Sequence, residues 1–72
     1  MSMWKMIRLK SGMKQHEIAK KLNYTRVWVS NMENGKVKPS YKFQIFYLKL
    51  DGEKKHKIII DYLTELYRKE ES

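Results

Sequence analysis

Between Gln15 and Lys38 the chain reads QHEIAKKLNYTRVWVSNMENGKVK, a stretch rich in side chains that donate hydrogen bonds to anions and to base edges. Arg26 is the most telling. A guanidinium can donate two bonds to guanine O6 and N7, or clasp a phosphate without reading sequence. Val27 beside it can touch a thymine methyl. Ser30 and Asn31 lie one helical turn further on. Asparagine pairs bidentately with adenine, although the same residue is as often simply solvated. Gln15 stands where a helix begins, and there an amide side chain and free backbone N–H groups favour a phosphate; alternatively it only opens the helix. Tyr24 offers a hydroxyl to a phosphate or packs as core. Hydrolytic or metal chemistry finds no matching set. His16-Glu17 opens like a His-Glu-x-x-His zinc motif, but Lys20 fills the second histidine position. His56 stands far away, and there is no cysteine. No phosphate-cradling glycine loop is present, so no cofactor, no metal and no enzyme activity are expected.

Short helices must position these groups. Ser2 can cap a first helix running to about Lys10, with Met3, Met6 and Ile7 on one face and Trp4 flanking it. Ser11-Gly12 ends it. Gln15 begins a second helix whose Ile18, Ala19 and Leu22 share a face, with Lys14 as a weak cap. Asn23-Tyr24 forms a sharp turn, asparagine tolerating the positive φ such a turn demands. Thr25 caps a third helix with Val29 and Met32 inside, and Asn34-Gly35 stops it. After a basic loop to Pro39, Ser40 caps a fourth helix from about Tyr41 to Leu50, carrying Phe43, Phe46, Tyr47 and Leu50. Asp51-Gly52 breaks the chain before a fifth helix, about Glu53 to Lys69. Ile58–Ile60 can in isolation form a strand, but the continuing i, i+3/i+4 pattern favours helix. The expectation is an all-α fold of five helices, with helices 2 and 3 as a helix-turn-helix.

Charge sharpens the picture. The net charge is +8 over 72 residues. Residues 1–50 hold eleven Lys/Arg against Glu17 and Glu33, whereas residues 51–72 hold five basic and six acidic residues. A basic body beside a near-neutral tail fits a polyanion partner, since Lys and Arg displace counterions from phosphates. Residues 1–72 are read as one domain, with 1–50 the DNA-binding body and 53–69 the C-terminal helix. A chain this short buries only about 60% of the surface it exposes when unfolded, so its core is small. No apolar run approaches about 18 residues and no charged-then-apolar leader opens the chain, so no membrane partner is expected and the cytoplasm is the expected compartment.

Residues 7–40 closely resemble the lambda-repressor-like (Cro/C1, XRE) helix-turn-helix family; residues 41–72 do so only in outline. The resemblance is carried by Arg8, Gln15, Glu17-Ile18-Ala19, Thr25, Glu33-Asn34-Gly35-Lys36 and Pro39-Ser40. It implies a compact five-helix lambda-repressor-like domain that lays the helix led by Thr25 in the major groove of double-stranded DNA. It further implies base contacts by Arg26, Val27, Ser30 and Asn31. Phosphate contacts would fall to Gln15, Tyr24, Thr25, Asn34, Lys36 and Lys38. Arg8 and Glu33 would form a partly buried ion pair tying helix 1 to the end of helix 3. Trp28 departs from the family pattern, where a small residue is usual. It either packs partly against helix 2 or lays its edge on a sugar or thymine methyl.

The fifth helix has more apolar residues than one core face needs. Ile59, Leu63 and Leu66 form one stripe, and Ile60, Leu63 and Tyr67 an adjacent one. A helix apolar over so wide an arc is usually buried on two sides. A homodimer through Ile60, Leu63 and Tyr67 is therefore expected, with a tail merely wrapping its own core as the other reading. Function follows as a sequence-specific transcriptional regulator, a homodimeric repressor on a pseudo-palindromic operator, with no small-molecule ligand evident. The alternative is a protein-binding module on the same fold, such as a phage-encoded inhibitor or an antitoxin subunit.

Overall fold

The computed structural model describes residues 2–71. Five α-helices follow in order: α1 (Met3–Ser11), α2 (Gln15–Leu22), α3 (Arg26–Glu33), α4 (Tyr41–Asp51) and α5 (Lys57–Glu71). No strand occurs among the described residues. Five helices in this order are what the resemblance drawn from the sequence implies.

The helix starts are set by short hydroxyl side chains. Ser2 Oγ accepts the Lys5 N–H at 3.1 Å, Thr25 Oγ1 that of Trp28 at 3.1 Å, and Ser40 Oγ that of Phe43 at 3.2 Å. Each satisfies one of the amides that a helix start leaves without a carbonyl. α2 lacks such a cap. Its Glu17 carboxylate reaches back instead and accepts the Lys14 N–H at 2.8 Å.

The core is one cluster of Ile7, Ile18, Ala19, Leu22, Val29, Met32, Phe43 and Tyr47, drawn from α1 through α4. Aromatic rings fill its α1–α4 side. Phe43 and Tyr47 stack with centroids 4.0 Å apart, and Trp4 meets both edge-on at 5.5 and 5.8 Å. Trp4 therefore takes the inward position that the sequence pattern assigns to Met3 and Met6. Those two are 58% and 48% exposed. In a nine-residue helix either face satisfies the apolar spacing, and the partner rings on α4 select the one carrying Trp4.

The α4–α5 junction also differs from expectation. A single 3-10 turn, Lys54–His56, precedes α5, which starts at Lys57. His56 Nε2 lies 2.7 Å from Asp51 Oδ2, holding this turn against the end of α4. Ile58–Ile60 is helical.

α5 packs along α4 and contributes Leu63 as its buried residue. Leu63 is 7% exposed within a single chain, so it is already covered by this chain's own packing. Tyr67 is half-buried in a groove shared with Leu22 and Phe46, and Ile60 is also half-buried. Of the expected dimer stripe, Leu63 is thus buried within the chain, whereas Ile60 and Tyr67 keep partial exposure. The large apolar side chains of α5 that are exposed are Ile58, Ile59 and Tyr62, at 81%, 47% and 65%.

Candidate nucleic-acid interface

Two helices and a two-residue turn build the site. α2 stops at Asn23, whose φ of 61° and ψ of 43° are left-handed. Asparagine enters that region more readily than most residues because its short amide bonds locally. The Tyr24 N–H then closes onto Ala19 O at 2.8 Å, and Thr25 starts α3 at once. Ile18, Ala19 and Leu22 of α2 meet Val29 and Met32 of α3 in the core. The inner faces are thereby fixed, and the outer face of α3 follows from helical geometry.

Arg26, Val27 and Trp28 are exposed on that outer face, and Ser30 and Asn31 are half-buried. No acidic residue lies in the first turn of α3. Trp28 does not join the core cluster, so the first of its two readings, packing against α2, accounts for at most part of its surface.

The segment after α3 folds back on it. Gly35 takes a φ of 76°, which only glycine adopts without strain. The Lys36 and Val37 N–H groups then both point at Asn31 O, at 2.9 and 3.4 Å. Val37 is partly buried against the core, which turns its neighbours Lys36 and Lys38 outward, both exposed. Asn34 is exposed too, its Nδ2 3.3 Å from Ser30 Oγ.

Glu33 closes α3 from the inside and is 1% exposed. Four donors converge on its carboxylate. Arg8 gives Nε to Oε2 at 2.6 Å and Nη2 to Oε1 at 3.2 Å. Tyr47 gives its hydroxyl to Oε2 at 2.6 Å, and Gln15 gives Nε2 to Oε1 at 3.0 Å. One residue each from α1, α2 and α4 is thus bonded to the end of α3. Burial alone would raise the Glu33 pKa, but bonds from Arg8, Tyr47 and Gln15, with the Arg8 charge, outweigh it and hold the carboxyl below its ordinary range. Burial, then the Glu33 bond and charge, push the Tyr47 hydroxyl far up, so it stays a donor.

Two residues assigned to phosphates have other partners. The Gln15 side-chain amide is turned onto Glu33, so what α2 still presents to an anion is its backbone. The Gln15 and His16 amides stand in the first turn, ahead of any helical carbonyl able to take them. The Tyr24 hydroxyl lies 2.6 Å from Ser40 Oγ, and Lys42 Nζ sits 4.4 Å over its ring. Tyr24 therefore ties the turn to the start of α4. Sequence reasoning missed Tyr47 as the third residue bonded to Glu33, because it sits in an apolar stripe that gives no hint of its hydroxyl. The Tyr24–Ser40 bond spans sixteen residues and was equally invisible.

Among the described residues no group of three or more His, Cys, Asp or Glu is placed to hold a metal ion. No described helix is long and apolar enough to cross a membrane. A family model described as helix-turn-helix matches residues 5–43, which runs from within α1 to the first turn of α4. No curated protein and no solved structure is significantly similar to the chain.

Proposed function

Because the chain belongs to the Cro/C1-type (XRE) helix-turn-helix family, whose members are DNA-binding regulators, we propose that it is a cytoplasmic homodimeric repressor of a pseudo-palindromic operator. The observation that carries this reading is the exposed first turn of α3, Arg26-Val27-Trp28, on a scaffold with no acid nearby in that turn. Arg26, Val27, Ser30 and Asn31 read base edges in the major groove. Lys36, Lys38, Asn34 and the Thr25 end of α3 meet phosphates, joined by the backbone amides opening α2. Residues 1–50 serve as the DNA-binding body and α5 as the pairing element.

Size supports pairing. The chain extends 27 × 27 × 20 Å, whereas successive half-sites on one face of DNA lie about 34–36 Å apart. One copy reaches one half-site, and two copies are needed for two. The exposed Ile58, Ile59 and Tyr62 on α5 give a two-fold contact its apolar centre, in a segment, residues 51–72, whose charge as a whole is near neutral.

Selection from random duplexes at about 150 mM salt, followed by sizing of the complex, tests the reading. Salt at that level strips much of the phosphate-driven binding that carries no sequence information. Enrichment of one palindrome bound by two chains is expected. No enrichment would overturn the reading and favour a protein partner for the basic face.

A further inference from the structure

Trp28 is placed unusually for its size. A tryptophan next to a core position buries most of its rings in a typical domain. Trp28 adjoins the fully buried Val29, yet it is 44% exposed, and Val27 before it is 61% exposed. The remaining large exposed apolar side chains, Met3, Met6, Leu9, Ile58, Ile59 and Tyr62, all lie on α1 or α5. Among the described residues, the helix-turn-helix unit therefore has its large apolar exposure concentrated at one spot, the first turn of α3.

Helical geometry divides that surface. Successive residues turn by about 100° around the axis. With Val29, Met32 and Glu33 inward, Val27 and Asn31 point most directly away from the core. Arg26 and Ser30 flank them on one side and Trp28 on the other. One flank carries donors and suits the O6 and N7 acceptors of purines. The other carries the Trp28 indole, and the Val27 isopropyl group stands between the two flanks. These match the apolar group that the major groove displays, the C5-methyl of thymine.

Building on the operator-binding reading above, we propose that Val27 and Trp28 form a C5-methyl reader. Each half-site places at least one thymine methyl, or the equivalent methyl of 5-methylcytosine, against the Trp28 side of α3, while the Arg26 side takes a purine. The methyl is read by exclusion of water from two apolar surfaces rather than by hydrogen bonding, so the discrimination is against bases lacking that methyl.

Titration of the intact chain on its selected operator, with each thymine replaced in turn by uracil, removes the methyl and nothing else. At one or more positions per half-site uracil should weaken binding about fourfold, the worth of one buried methyl. Trp28→Ser should bind thymine and uracil duplexes alike at those positions, and 5-methylcytosine in a uracil-sensitive step should bind better than cytosine. Val27→Ala serves as the second variant if a thermal melt shows that Trp28→Ser does not fold. Uracil tolerated at every position overturns the proposal. So does a Trp28→Ser protein that binds weakly yet keeps full uracil sensitivity, which assigns the indole to the sugar–phosphate backbone. Failure to select any operator overturns the operator-binding reading itself, and this one with it.

Discussion

The Arg8 guanidinium and the Glu33 carboxylate are joined at 2.6 Å with side chains only 9% and 0% exposed, so the first helix holds the far end of the third through a buried ion pair. Twenty-five residues separate them in sequence. A charge buried this deeply is tolerable only while its partners stay in place. Arg8→Ala leaves Glu33 with its Tyr47 and Gln15 bonds but no cation. It should cost about 3–5 kcal/mol of folding stability. A thermal melt should show a large fall, and DNA binding measured well below the new midpoint should survive. An unchanged melt would remove the pair from the account of stability.

The same carboxylate fixes the direction of the acid response. Its folded pKa is depressed. Its contribution is therefore complete above the unfolded value, about 4.3, and is lost as pH falls through the lower folded value. Tyr47→Phe deletes one of the bonds that lower the folded pKa, so acid unfolding should begin at higher pH than in the native chain. It should also cost about 1–3 kcal/mol at neutral pH, because the carboxylate loses a buried donor. Circular dichroism followed from pH 7 to the acid limit checks both; an onset at the native pH or lower would contradict the assignment.

Much of the fold can be read from local chemistry. Ser2, Thr25 and Ser40 mark three helix starts because a hydroxyl that can take an amide has few better positions. Asn23 marks the turn because few other residues enter the left-handed region at low cost. What cannot be read is any choice made by a distant partner. Trp4 turns inward because Phe43 and Tyr47 are there to receive it, and Gln15 turns to Glu33 because four helices bring them together. α5 shows the same boundary. Its isoleucines and leucines announce two apolar faces, but only packing on α4 decides that Leu63 belongs to the inner one. In the candidate interface, the outward direction of Val27 and Asn31 follows from the periodicity of α3 alone, whereas what they touch depends on a molecule outside the chain.

That division of α5 separates two variants. Leu63→Ala removes a buried side chain and should cost about 2–5 kcal/mol of stability. Ile59→Asp alters an exposed position, so the melt of the monomer should move by less than about 0.5 kcal/mol equivalent. On the pairing proposed for α5, Ile59→Asp should nonetheless shift the chain toward monomer in sizing experiments and weaken operator binding. A variant that still elutes with the native protein would place the pairing surface elsewhere.

Arg26, Lys36 and Lys38 are all exposed cations, and only position distinguishes them. Lys36 and Lys38 stand on the loop that Gly35 turns back onto Asn31, with Val37 anchored between them. Removing either should weaken binding to every sequence by a similar factor and lower the slope of log K against log salt by about one for each phosphate no longer neutralised. Arg26 opens the exposed turn of α3 beside Val27. Arg26→Ala should instead cost about 1–3 kcal/mol on the selected operator and relax preference at one base pair per half-site. Anisotropy titrations of the three variants on operator and on scrambled duplex, at two or more salt concentrations, separate the roles. If Arg26→Ala weakens operator and scrambled binding equally, with the lysine-like fall in salt slope, its guanidinium lies on phosphate, and base reading rests on Val27, Ser30 and Asn31.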